Sequence, residues 1–300
     1  WNPNSNGDVN VILMNGSDIY VGGEFTTIGG SSLSRLAKLN NSTGEAISGW
    51  APNPDGKVNS LVISGSDLFI GGDFYNVGGY IRKGIAKLYL GSGAVNTSWS
   101  ADVDGYINRV AVSGSDVYAA GNFSSIGGQA IEHIAKLNYT SGTVNASWNA
   151  NSDSYINEMV INGSDIYVGG TFYNIGGQSR QYFAKLFTSN GQADLQWNPV
   201  VDLNANSIVI DGSYIYLGGS FTAINGQSKY RIARLNISDG SVDNYWNPST
   251  SGSINAIAIS QSEVCIGGEF NSVSGLNSPP MQTSLCDIAI ALSQSEVCIG

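Results

Sequence analysis

The residues able to do chemistry in this chain are few. His133 is the only histidine among 300 residues. Other segments carry Arg35, Gly84, Tyr182 and Arg231 at its place, which favours a structural role over a metal-binding one. A Ser-His-Asp triad built on His133 is therefore not expected. Acids are more numerous, and several recur. Asp18, Asp67, Asp116 and Asp165 lie in Gly/Ser-rich turns, where short acids bond neighbouring backbone amides. Glu24, Asp73 and Glu269 share another position, but Asn122, Thr171 and Ser220 replace them elsewhere. Glycoside hydrolysis needs two carboxylates about 5–9.5 Å apart. No such pair is singled out, so no catalytic residue is assigned.

Weaker candidates are ligand-binding ones. Asn2, Asn4, Asn6 and Asp8 alternate along one loop, and Asn53/Asp55, Asp102/Asp104 and Asn151/Asp153 repeat the theme. Alternating oxygens followed by glycine are compatible with calcium, which takes six to eight of them; Asp102 and Asp104 are the candidates. The pattern lapses at Val200 and Ser249, and such loops are more often plain turns. Cys265, Cys286 and Cys298 all fall near the end of the chain. They are disulfide candidates with one thiol left over, although Cys265 also fits as a small apolar residue. No Cys/His spacing suits zinc, and no Gly-Lys-Ser/Thr motif cradles phosphate.

The elements that carry these residues recur every 49 residues. Gly-Ser-Asp-Ile-Tyr-Val-Gly-Gly-Glu-Phe at residues 16–25 returns at 65–74 and again near 114, 163, 212 and 261. All six tryptophans, Trp1, Trp50, Trp99, Trp148, Trp197 and Trp246, keep the same spacing. A period of this length made of short strands points to a propeller or, less well, a solenoid. Each copy opens with an apolar run such as Val9, Ile12, Leu13 and Met14, as expected of a strand covered on both faces. A Gly/Asn/Ser/Asp turn leads to a second strand over residues 19–25, closed by Phe in every copy. A third strand spans residues 35–40, and a short fourth ends at the next Trp. The expectation is one all-β domain over 1–300: a six-bladed β-propeller of four antiparallel strands per blade. Its blades span about 1–49, 50–98, 99–147, 148–196, 197–245 and 246–300. The last diverges after residue 275, where residues 289–300 nearly duplicate 256–267. Residues 287–292 and 296–300 are expected to fill its two outer strand places. Asn10, Asn59, Asn108, Asn157, Asn206 and Asn255 recur in all six copies. They are expected as a ring at a channel mouth, tying each blade to the next rather than binding a ligand.

Composition narrows the partners. The net charge is −10, and five of the 13 basic residues occupy one repeat position (Lys38, Lys87, Lys136, Lys185, Arg234). Nucleic acid and anionic lipid are thus poor partners, and no apolar run is long enough for a spanning helix. The chain opens on Trp1 in phase with the repeat, as a processed chain or a segment of a longer protein would. Glycosylation sequons begin at Asn15, Asn40, Asn41, Asn96, Asn122, Asn138, Asn145, Asn162 and Asn236. With the acidic, Asn/Ser/Gly-rich surface they indicate an extracellular or cell-surface protein.

The motif Ile-Tyr-Val-Gly-Gly-Glu-Phe-Thr-Thr-Ile-Gly-Gly (19–30), with Leu-Ala-Lys-Leu-Asn (36–40) and Trp-Ala-Pro-Asn (50–53), resembles the delta-60 repeat. That repeat builds β-propellers in large secreted or surface-attached microbial proteins, and a similar pattern occurs in fungal cortical marker proteins. The likeness covers about residues 1–275 and implies a fold and an extracellular setting, without a shared chemistry. The expected function is a non-enzymatic structural or adhesive module of a cell-surface protein, sheath or fibre, with protein partners or self-association. No cofactor is expected apart from the calcium option above. The alternative is a carbohydrate-binding propeller using loop aromatics such as Tyr106 or Tyr155. An enzyme would need one divergent loop of concentrated polar chemistry, and the copies are too alike for that.

Overall fold

The computed structural model describes residues 1–260, 263–275 and the strand 296–299. Every described regular element is a β-strand. The chain divides into two compact units, Trp1–Ser147 and Trp148–Gly300.

The first unit holds three copies, each an antiparallel three-stranded sheet in sequence order. They are Val9–Asn15, Asp18–Gly23 and Leu36–Asn40; Lys57–Ser64, Asp67–Asp73 and Ile85–Tyr89; Tyr106–Ser113, Asp116–Asn122 and Ile134–Asn138. The second unit repeats the plan with Ile156–Asn162, Asp165–Gly170 and Phe183–Phe187, then Ala205–Asp211, Tyr214–Gly219 and Ile232–Asn236. Its last sheet pairs Ile254–Ser260, Glu263–Gly268 and Glu296–Ile299. The third strand is thus drawn from 296–299, as expected of the divergent tail, whereas residues 287–292 lie outside the described residues. In each of the first five copies the segment expected as a fourth strand touches the third by one antiparallel bridge, such as Leu39↔Ala46 and Leu88↔Val95.

Three features of the motif explain the sheets. Asn15 pairs with Asp18 across a tight turn whose Gly16 has φ +61°, a conformation glycine adopts without a side-chain penalty. Next, the first two strands slip register at one residue, between Val9 and Val11 and between Val58 and Ser60. The residue left over is Asn10 or Asn59, the bulge residue that pairing leaves out. The glycine pair is a steric requirement on both sides. A Cβ on Gly23 would lie 2.0 Å from the Asp8 carbonyl oxygen of its own copy, and one on Gly22 would lie 2.6 Å from Val58 Cγ1 of the next.

The cores are shared between copies. Tyr20 and Leu36 of copy one belong to one buried cluster with Trp50, Leu68, Ile70 and Phe74 of copy two. Phe69 and Ile85 pass likewise into the core of copy three, as Tyr216 and Ile232 of copy five pass into that of copy six. The tryptophans sit at these seams. Trp50, Trp99 and Trp197 are buried and meet Tyr20, Phe69 and Tyr167 of the preceding copy edge-to-face at 5.3–5.5 Å. Two of these indoles also serve their own copy: Trp50 donates to the Leu90 carbonyl and Trp99 to that of Asn138. Burying such a ring contributes on the order of 5 kcal/mol. A lone copy has no seam, so neighbours within a unit stabilise one another.

Candidate functional site

A cavity of about 550 Å³ opens in the first unit between copies two and three, lined among others by Asp73, Phe74, Tyr75, Lys83, Val103 and Asp104. Its walls are placed by a repeated device. In each copy a short polar side chain after the Trp accepts two backbone N–H groups from the loop that follows the second strand. Asp55 Oδ1 accepts from Tyr75 and Asn76 at 2.7 and 2.8 Å, and its Oδ2 from Asn76 Nδ2. Asp104 takes the amides of Ser124 and Ser125 and the Ser124 hydroxyl. Asn6, Asp153, Asp202 and Ser251 do the same in their copies. Desolvation alone would raise the Asp104 carboxyl. The bonds from Ser124 and Ser125 outweigh it and hold the group at about 2. The same balance lowers Asp55, Asp153 and Asp202.

A second pin crosses to the next copy. Lys83 N–H donates to Asp102 Oδ1 at 3.0 Å, as Ser34 N–H donates to Asn53 Oδ1. Positions 75 and 83 are therefore held by their backbone alone, and their side chains are left to vary. In copy two they are Tyr75, half exposed, and Lys83, whose ammonium stands 4.8 Å from the Tyr75 ring centroid. The corresponding Tyr173 of copy four is instead tied by its hydroxyl to Tyr182 at 2.7 Å. Copy two also exposes Tyr80, Ile81 and Tyr89. Tyr80 and Ile81 lie on a small hairpin, Asn76–Val77 paired with Tyr80–Ile81.

The sequence candidates fall as follows. Asn10 Nδ2 donates to the Val58 carbonyl at 3.3 Å, Asn59 to that of Ile107 at 3.0 Å and Asn206 to that of Ile254 at 3.4 Å. Asn108, Asn157 and Asn255 hold the same bulge position. Asp102 and Asp104, the calcium candidates, turn their oxygens to N–H and O–H donors. Among the described residues no group of three His, Cys, Asp or Glu could hold a metal. His133 has φ +62°, a left-handed backbone shared by Arg35, Gly84, Tyr182 and Arg231. That shared backbone is what aligns these five residues.

Of the sequon asparagines, Asn15, Asn138, Asn145 and Asn162 are exposed, and Asn40, Asn41, Asn96, Asn122 and Asn236 half-buried. Asn41 and Asn236 spend Nδ2, the atom a glycan would take, on bonds to Gly16 O and Ser241 Oγ. Cys265 is disulfide-bonded, and the residue facing it across the ladder is Cys298; Cys286 lies outside the described residues. Tyr155 is exposed and Tyr106 half-buried.

The recurrent turn acids differ from expectation. Asp18, Asp67, Asp116 and Asp165 form ion pairs at 2.8–3.0 Å with Lys38, Lys87, Lys136 and Lys185 of the third strand. A diagonal across a ladder brings them together: Tyr20, not Asp18, is the residue directly opposite Lys38. Tyr75 and Lys83 were not singled out in the sequence. The signal lay in the aligned copies, where one position reads Thr26, Tyr75, Ser124, Tyr173, Thr222, Asn271.

The family model described as "Domain of unknown function (DUF5122) beta-propeller" matches residues 18–44, 165–196 and 208–244, less than half of the chain. These stretches hold second and third strands of copies one, four and five, and the family they match is a β-propeller one. No curated protein matches the chain. Among solved structures, the extracellular domain of a proposed one component system from B. thetaiotaomicron matches with a TM-score of 0.53 and 15% identity. That match covers 87% of this chain and 31% of the other. A computationally designed protein, Ika8, matches with a TM-score of 0.53 and 11% identity, over 88% of this chain and 81% of that one. Both are likenesses of fold. Among the described residues no helix is long and apolar enough to cross a membrane.

Proposed function

We propose that the chain is a non-enzymatic extracellular β-propeller of the delta-60 repeat type, a structural or adhesive module of a cell-surface protein, sheath or fibre. Six in-phase copies argue for six blades, and the bridge beside the third strand of the first five copies argues for a fourth strand in the blade. One neighbour in fold is itself an extracellular domain, in keeping with the acidic, sequon-bearing surface.

The observation that carries the reading is the division of labour within a copy. Residues that would do chemistry are spent on the scaffold: acids pin loops or pair with lysines, and asparagines staple copy to copy. Side chains released from that work are large, apolar and exposed, as Tyr80, Ile81 and Tyr89 are in copy two. Exposed apolar side chains grouped on one copy mark an interaction surface. Sedimentation velocity over a concentration series tests this. Concentration-dependent association is expected, and it should be lost in a Tyr80→Ser, Ile81→Ser, Tyr89→Ser variant. A chain monomeric at every concentration, whose coated beads bind one another no better than bare ones, refutes it. The cavity favours a second reading, carbohydrate binding.

A further inference from the structure

We infer that the cavity between copies two and three is a binding site for a neutral pyranose sugar, with Tyr75 as the stacking platform and Lys83 and Asp73 as the polar contacts. The inference rests on the carbohydrate-binding reading, which it narrows to a ligand class, and it uses different residues from the assembly reading.

The volume is the first support. About 550 Å³ lies within the range of small-molecule sites, roughly 300–1,000 Å³. The lining has the right mixture: buried Phe74 and Val103 behind, with the half-exposed Tyr75 ring, the Lys83 ammonium and the exposed Asp73 carboxylate in front. Neither Tyr75 nor Lys83 is required by the fold there, since the pins use only their N–H groups.

The charges then select the ligand. Three carboxylates (Asp55, Asp73, Asp104) surround one ammonium, in a chain of net charge −10. An anion would meet repulsion from all of them. A cation would be repelled by the Lys83 ammonium, which stands 4.8 Å from the Tyr75 ring centroid. What remains is an uncharged ligand with one apolar face and many hydroxyls. A pyranose presents C–H groups to the ring while its hydroxyls donate to Asp73 and accept from Lys83. Asp55 and Asp104 are already occupied by loop donors, so they shape the site without holding the sugar.

The test is saturation-transfer and chemical-shift titration of the whole chain against methyl glucoside, methyl galactoside, methyl mannoside, N-acetylglucosamine and cellobiose. Glucuronate and spermidine serve as anionic and cationic comparators. At least one neutral saccharide should bind more tightly than either comparator. Tyr75→Ala should weaken it about tenfold, while Tyr75→Phe, which keeps the ring, should stay within about threefold. Unchanged thermal midpoints in both variants would show that the fold is intact. Absence of binding by every neutral sugar overturns the inference, as does tighter binding of glucuronate or spermidine, or indifference to Tyr75→Ala. A chain that binds sugar yet stays monomeric would refute assembly alone; one that assembles without binding sugar would refute this site alone.

Discussion

Gly71 and Tyr75 are four residues apart and answer to opposite constraints. A Cβ on Gly71 would fall 2.6 and 2.7 Å from methyl carbons of Ile107 and Val110 in the next copy. That position reads glycine in every copy but the third, where Ala120 stands. Tyr75 is held by its N–H, which every residue but proline supplies, and its position takes Thr, Tyr, Ser or Asn. The seam between copies is thus locked by side-chain volume, and the loop beside it by backbone hydrogen bonds. Repetition follows from the first kind of constraint and diversity from the second. A repeat protein with both can keep one scaffold and vary what it displays.

Changes at the seam should cost most. Trp99 is fully buried, meets Phe69 edge-to-face and donates to the Asn138 carbonyl. Trp99→Ala should destabilise the first unit by about 4 kcal/mol, read as a drop in the denaturation midpoint and faster amide exchange in strand Tyr106–Ser113. A loss no larger than that of a surface substitution would mean the copies do not share their cores. Gly71→Val comes next, at about 2 kcal/mol of overpacking against Ile107 and Val110. Gly72→Ala sharpens the point. Its Cβ would meet the Lys57 carbonyl oxygen at 2.1 Å, a backbone atom that cannot swing aside, so it should lower the midpoint more than Gly71→Ala.

Periodicity is why the seam was legible in the sequence. Apolar runs, turn glycines, the invariant Phe and the spacing of the tryptophans each report a local demand that every copy repeats. The second strand, read as residues 19–25, is Asp18–Gly23, and the third, read as 35–40, is Leu36–Asn40. Arg35 drops out of that strand because its backbone is left-handed at φ +62°. What escaped the sequence reading is contact between segments. The Lys38–Asp18 pair depends on ladder register, and the bulge at Asn10 on where pairing slips. The cavity escaped because its distinctive residues depart from the repeat, while attention to the recurring asparagines and acids picks out the scaffold.

The loop anchors lie between these extremes, and pH can isolate them. Asp104 titrates at about 2 in the folded chain against an ordinary value of 3.8. A carboxyl depressed by folding contributes stability above its unfolded pKa and loses it as pH falls through the folded one. The contribution is therefore whole above pH ~4 and fades toward pH ~2. Asp55, Asp153 and Asp202 shift the same way, so acid should loosen the anchored loops together. Asp104→Ala should cost about 1 kcal/mol at neutral pH, since solvent screens the exposed carboxylate and only its hydrogen bonds count. Asp104→Asn should flatten the midpoint's fall between pH ~4 and ~2. An unaltered acid limb would show that these acids are not what holds the loops.

The smallest effect is the sharpest test of the contrast. Tyr75→Ser removes a half-exposed ring and leaves both N–H bonds to Asp55 possible, so stability should change by no more than about 0.5 kcal/mol. Tyr75→Pro removes the N–H and leaves Asp55 Oδ1 with only Asn76 as a backbone donor. It should cost about 1–2 kcal/mol and bring faster amide exchange at Asn76. Serine and proline both lack the ring, so the difference between them isolates the backbone bond. If serine proved as damaging as proline, the ring would be part of the scaffold, and position 75 would belong with Gly71 instead of opposing it.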